Sequence, residues 1–304
     1  MGVMARTLVN DGRGAVPAEP ALPARARSGS RWFGRSRRPR QTDRPGPEFK
    51  SPAQIESMRA AGRVVRRALE AASRACVCGA TTGDVNEAAC RVIQASGGDG
   101  LFRNYPTYRA GEGFPGDVCV SVNEEIVHGI PGARVLCDGD IVTVDCGVRL
   151  NGWCADAAVT VPVGPVSRPV EKLVRVTREV LAEAIEAIRP GRRWSEVARI
   201  MQGLADSAGF GVVREFVGHG IGRVLHELPQ APAYVNRAFT RWHDFDLEVG
   251  MTLAVEPMLT LGNPSPVTLE DGWTVVTADR LPACHVEHTI AVTPRGADVL
   301  TDGR

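Results

Sequence analysis

Asp145, Asp156, His219, Glu256 and Glu287, with His128 and His226 beside them, are the residues of this 304-residue chain whose types and spacing suit joint chemistry. Asp145 ends the run Gly139-Asp140-Ile141-Val142-Thr143-Val144-Asp145, and Asp156 closes Cys154-Ala155-Asp156. Between them, Asn151-Gly152 is the strongest short-range cue for a β-hairpin. Whether the two-residue loop is Leu150-Asn151 or Asn151-Gly152, the register changes by two, so both carboxylates keep to one face. Two aspartates pointing together from an apolar hairpin are costly without a partner, and a cation between them is the natural compensation. A lone aspartate pair is more often exposed on an edge strand, so other residues must decide.

Those residues are present. His219 stands between glycines in Gly218-His219-Gly220-Ile221-Gly222, where the backbone approaches a neighbour closely and the imidazole can offer a nitrogen. His226 follows seven residues later, and His128 lies in Ser121-Val122-Asn123-Glu124-Glu125-Ile126-Val127-His128-Gly129-Ile130-Pro131. Glu256 and Glu287 sit in the strand-like apolar runs 253–258 and 286–290, and glutamate is seldom buried without a partner. Four carboxylates and one imidazole form a mainly oxygen set able to hold two divalent ions, with some ligands bridging both. Such a set suits Mn, Fe or Co at least as well as Zn.

The elements that must position these groups follow from periodicity. Ser51-Pro52-Ala53-Gln54 has capping-box spacing with Pro at the first helical position, and Ile55, Met58, Ala61, Val64, Val65 and Leu69 continue at helical period. Further helices are expected over about 82–95, 170–188 and 195–208, and strands over 118–122, 141–148, 154–161, 251–257, 274–277 and 286–292. Two helices then strands, twice over, imply two related α/β halves around a shared sheet.

Composition excludes other classes. Hydrophobic residues make up 43% and charged residues 23%, with a net charge of +1, which argues against a general nucleic-acid binder. The eight cysteines lack zinc-knuckle spacing and read as free thiols of a reducing cytosol. No apolar stretch reaches the roughly 18 residues of a membrane helix, and no signal peptide is evident, so the cytoplasm is the expected location. Residues 1 to 49 hold ten Arg against four acids and are rich in Pro, Ala and Gly. The segment 1–48 reads as a flexible extension, or as the product of a start codon assigned too far upstream. An arm touching ribosomal RNA or an SH3-like surface is its functional reading.

From 51 to 293 the chain resembles the type I methionine aminopeptidases: SVNEEIVHGIP, GDIVTVD, VGHGIGRVLHE, GMTLAVEPM, DGWTVVT and VEHT occur in that family's order and spacing. The resemblance implies an α/β (α+β) pita-bread fold, two pseudo-symmetric halves around a curved antiparallel sheet, with 49–304 a single catalytic domain acting as a monomer. It implies Asp145, Asp156, His219, Glu256 and Glu287 as ligands of two divalent ions. It also implies His128 and His226 as substrate contacts at the scissile amide, Glu256 as proton carrier and His226 as oxyanion stabiliser. The expected substrate is a nascent chain with a small second residue, cut after its initiator methionine. Phe114, Cys119 and Trp273 fit the family's methionine pocket. Tyr108, Gly111 and Leu225 depart from it, and His285 stands where Gln is common. The rivals are an aminopeptidase P or prolidase-like enzyme, whose relatives carry an additional domain ahead of the catalytic one, and a non-catalytic homologue that has lost its ligands.

Overall fold

The computed structural model describes residues 46–106 and 113–304, so most of the segment 1–48, together with Tyr108 and Gly111, lies outside the described residues. The first half runs α1 (Pro52–Ala75), α2 (Thr82–Ala95), β1 (Asp99–Gly100), β2 (Cys119–Val122), β3 (Glu125–Val127), β4 (Ile141–Leu150) and β5 (Trp153–Pro162). The second opens with α3 (Arg168–Ala187), α4 (Trp194–Ala208), β6 (Gly211–Val212), β7 (Gly218–Gly220), β8 (Glu227–Ala231) and α5 (Arg237–Trp242). It closes with β9 (Thr252–Val255), β10 (Met258–Thr260), β11 (Pro266–Thr268), β12 (Val275–Thr277), β13 (Ala283–His285), β14 (His288–Thr293) and β15 (Gly296–Val299).

Helix starts obey local chemistry. Ser51 Oγ accepts the Gln54 N–H while Gln54 Oε1 accepts the Ser51 N–H, and Thr81 with Asp84 repeats the exchange at α2. The apolar stripe Met58, Ala61, Val64, Val65 and Leu69 is buried, each larger side chain contributing roughly 1.5–3 kcal/mol. Helices α1 and α2 pack with β2, β4 and β5 around Val85, Val142 and Val144. A second core joins α3 and α4 to β9 and β14 through Leu173, Trp194, Leu253 and Ile290. Among the described residues every strand pairing is antiparallel. No described helix is long and apolar enough to cross a membrane.

The hairpin forms with Leu150 opposite Trp153, which selects Asn151-Gly152 as the loop. Both loop residues have positive φ, 52° and 78°, as a type I′ turn requires. Gly147 then faces Asp156 and Asp145 faces Ala158, so the two aspartates are diagonal neighbours on one face. The halves join along β5. Ala158 and Glu287 exchange backbone hydrogen bonds of 3.3 and 2.9 Å, and Thr289 Oγ1 both accepts the Asp156 N–H and donates to the Asp156 carbonyl.

Two strand expectations need correcting. The runs 251–257 and 286–292 are not continuous strands: β9 stops at Val255, and β14 begins only at His288. Glu256 and Glu287 therefore sit at a shared break in the ladder. Before it β9 pairs with β14; after it β10 pairs with β13, with Met258 opposite His285. The interruption turns both carboxylates out of the alternation a regular strand imposes.

Candidate active site

His219 lies on β7, hydrogen-bonded on both sides, opposite Ala254 and Gln230. Its flanking glycines have a steric cause: a Cβ on Gly218 would come within 2.5 Å of the Ala254 carbonyl, and one on Gly220 within 2.2 Å of the Leu228 carbonyl. His219 Nδ1 is 2.9 Å from the Gly220 carbonyl, which can only accept, so Nδ1 carries the proton and the Nε2 lone pair is free. That nitrogen lies 3.5 Å from Glu256 Oε1.

One cavity of about 190 Å³ is lined by Asp145, Asp156, His219, Glu256 and Glu287 together with His128, His226, Phe114, Cys119, Leu225 and Trp273. Every candidate site residue expected from sequence is there except Tyr108, which lies outside the described residues. Ligand atoms of Asp156, His219 and Glu287 come within 4.8 Å of one another.

The electrostatics are those of a site built for cations. Burial raises Asp156 to about 7, and burial with the Asp156 charge raises Glu256 to about 8. Asp145 and Glu287 are pushed well above the usual carboxylate range, by burial first and then by the Asp156 charge. Asp145 Oδ1, Asp156 Oδ1 and Glu287 Oε1 are buried with no hydrogen-bond partner. Oxygens left unpaired in this way, converging with a free imidazole nitrogen, fit divalent ions. Burial also holds the histidines neutral: His128 and His226 are lowered to about 4, and His219 to about 3.

The rest of the lining is mostly apolar and aromatic. Phe114 and Trp273 meet edge to face at 5.3 Å, and His128, held at a φ of 60°, packs its ring against Phe216 and Trp273. Sequence reasoning missed Phe102, Tyr105, Phe216 and Met258 in this lining. Tyr105 matters most, because its hydroxyl is 2.9 Å from His226 Nδ1. It lies in an irregular stretch, brought round by Asn104 at positive φ and held by the Phe114 N–H on its carbonyl. No periodicity or spacing marks such a residue.

Known proteins resemble this chain in sequence and fold over most of its length. The chain is 43% identical over 254 residues to methionine aminopeptidase 1 of Bacillus subtilis, covering 83% of this chain and 98% of that protein. The solved methionine aminopeptidase of Thermotoga maritima superposes with a TM-score of 0.79 at 42% identity, covering 84% of this chain and 99% of that one. The prolidase of Pyrococcus furiosus shares the fold, at a TM-score of 0.67 and 20% identity; the match covers 84% of this chain and 66% of the prolidase. The model of metallopeptidase family M24 matches residues 54–294, the span that carries every element of the site. On that match and these identities, the chain belongs to metallopeptidase family M24, within its methionine aminopeptidase branch.

Proposed function

We propose that the protein is an aminopeptidase that removes the initiator methionine from nascent chains whose second residue is small, in the cytoplasm. The observation that carries this reading is the gathering of five donor residues in one small cavity whose remaining lining is mostly apolar and aromatic. Asp145, Asp156, His219, Glu256 and Glu287 would hold two divalent ions. When bound, such ions supply Lewis-acid polarisation of the scissile carbonyl and a water acidic enough to attack at neutral pH.

The chain's own groups do the rest. Glu256, held as the carboxylate once cations offset the neighbouring charges, takes the proton from the attacking water and returns it to the leaving amine. Tyr105, a phenol, donates to His226 Nδ1 and leaves the proton of this neutral imidazole on Nε2, where it stabilises the developing oxyanion. His128 contacts the amide beside it. Phe114, Cys119, Leu225 and Trp273 receive the methionine side chain; burial keeps the Cys119 thiol protonated, a soft apolar contact for a thioether.

The prolidase-like alternative has less support. The likeness to prolidase is in fold alone, and a third of that enzyme has no counterpart in the match. A non-catalytic homologue is disfavoured by the presence of all five donors. The deciding experiment is a panel of Xaa-Ala-Ser peptides assayed with Mn, Co, Fe and Zn. Methionine should be released in strong preference to other residues; cleavage confined to Xaa-Pro bonds, or no cleavage with any metal, would sink the proposal.

A further inference from the structure

His285 is the buried polar side chain that this mechanism leaves unused. It ends β13 opposite Met258, is 2% exposed, and both its ring nitrogens lack a hydrogen-bond partner. Only four other buried side-chain polar atoms among the described residues share that condition: Asp145 Oδ1, Asp156 Oδ1, Glu287 Oε1 and Arg149 Nε. Three of the four are oxygens of the carboxylate cluster. An imidazole sealed from water with two unmet nitrogens is costly unless something absent from the polypeptide meets one of them.

The distances say what that is. His285 Nε2 lies 3.7 Å from Glu256 Oε2 and 3.9 Å from Glu287 Oε2. Both are too long for hydrogen bonds. They suit atoms that share an ion: with ligand bonds of about 2.1 Å, two donors stand about 3 Å apart at a right angle and about 4.2 Å apart across the ion. His219 Nε2, already placed among the donors, meets the same test at 3.5 Å from Glu256 Oε1. Glu256 thus has an imidazole nitrogen beside each of its oxygens. A neutral imidazole keeps a lone pair on one ring nitrogen, and Nε2, the nitrogen set near both glutamates, is the one placed to offer it.

We infer that His285 is a sixth protein donor to the ion pair, binding through Nε2, so that the centre holds two imidazoles. The inference rests on the reading of the site as a metal centre. A second imidazole moves the ligand set away from hard oxygen, and should raise affinity for Co and Zn more than for Mn.

The test uses the full chain loaded with Co(II), whose paramagnetism moves the exchangeable N–H proton of each coordinated imidazole far from the diamagnetic proton spectrum. Two such resonances are expected in the wild type and one in His285→Gln, with Zn affinity falling at least about tenfold and Mn affinity falling less. A wild type that binds Co with a single exchangeable imidazole resonance overturns this inference and leaves the metal reading standing. Two resonances that both persist in His285→Gln also overturn it, by giving the second to another histidine. A wild type that binds no ion sinks both readings. The wild-type count is informative even if the variant fails to fold.

Discussion

At the scale of single residues, His226 and Tyr105 form the pair whose disruption is most diagnostic. His226 packs its ring 4.3 Å from that of His219 yet is held from behind by the Tyr105 hydroxyl. His226→Ala should retain its ions by elemental analysis while losing about 10²–10³-fold in kcat, the scale of one oxyanion donor. Tyr105→Phe should lower kcat about tenfold with little change in KM, because it acts through the His226 tautomer and not on substrate binding. A KM effect alone would show Tyr105 to be a wall of the pocket only. The carboxylates make a second prediction. With Asp156 near 7 and Glu256 near 8, the folded ion-free protein keeps protons that the unfolded chain has released by about pH 5. The unfolded state then binds fewer protons, so stability of the ion-free protein falls as pH rises through that window. Thermal melts with chelator should lose Tm between about pH 5 and pH 8. Melts with Mn should lose less, since the ions take the place of the protons.

At the scale of elements, the loop that carries His226 is pinned from a distant part of the chain. Lys50, 2% exposed at its side chain, pairs with Glu227, whose other oxygen accepts the N–H groups of Arg223 and Val224. The lysine crosses directly over Gly222, where a Cβ would meet Lys50 Cε at 2.4 Å. Lys50→Met strands a largely buried carboxylate, and should cost about 3–5 kcal/mol in denaturant unfolding. It should also depress kcat by loosening the His226 loop; unchanged stability would mean Glu227 finds water instead. The lysine carries no local signal, since a single basic residue just ahead of a capping box reads as an ordinary helix approach. The capping box itself, the helix over 82–95 and the hairpin turn were legible because each rests on contacts within a few residues. The breaks at Glu256 and Glu287 were not, because apolar runs on both sides mask a change of pairing partner that only the neighbouring strands impose.

At the scale of the molecule, the site exists because two separately packed halves meet. Asp145 and Asp156 belong to the first half, while His219, Glu256 and Glu287 belong to the second; the bonds between Asp156 and Thr289 span 133 residues. We propose that residues 49–304 are the catalytic unit and that the Arg-rich segment ahead of them takes no part in catalysis. Deletion of residues 1–48 should leave kcat/KM on a Met-Ala-Ser peptide unchanged within about twofold, while a large drop would make the segment part of the folded unit.

Sequence alone determined the short-range features of this protein: helices begun by capping boxes, a type I′ hairpin that puts two aspartates on one face, and five residues whose chemistry makes them candidate donors. These depend on dihedral preference, periodicity and residue chemistry within a few positions, all readable along the chain. Only the tertiary structure decided that the five candidate donors share one cavity, that Tyr105 backs His226, that Lys50 pins the loop, and that His285, with both nitrogens unmet, brings its Nε2 near Glu256 and Glu287. Those relations join positions far apart in the chain. They are set by which faces the two cores bury, and no local pattern encodes that.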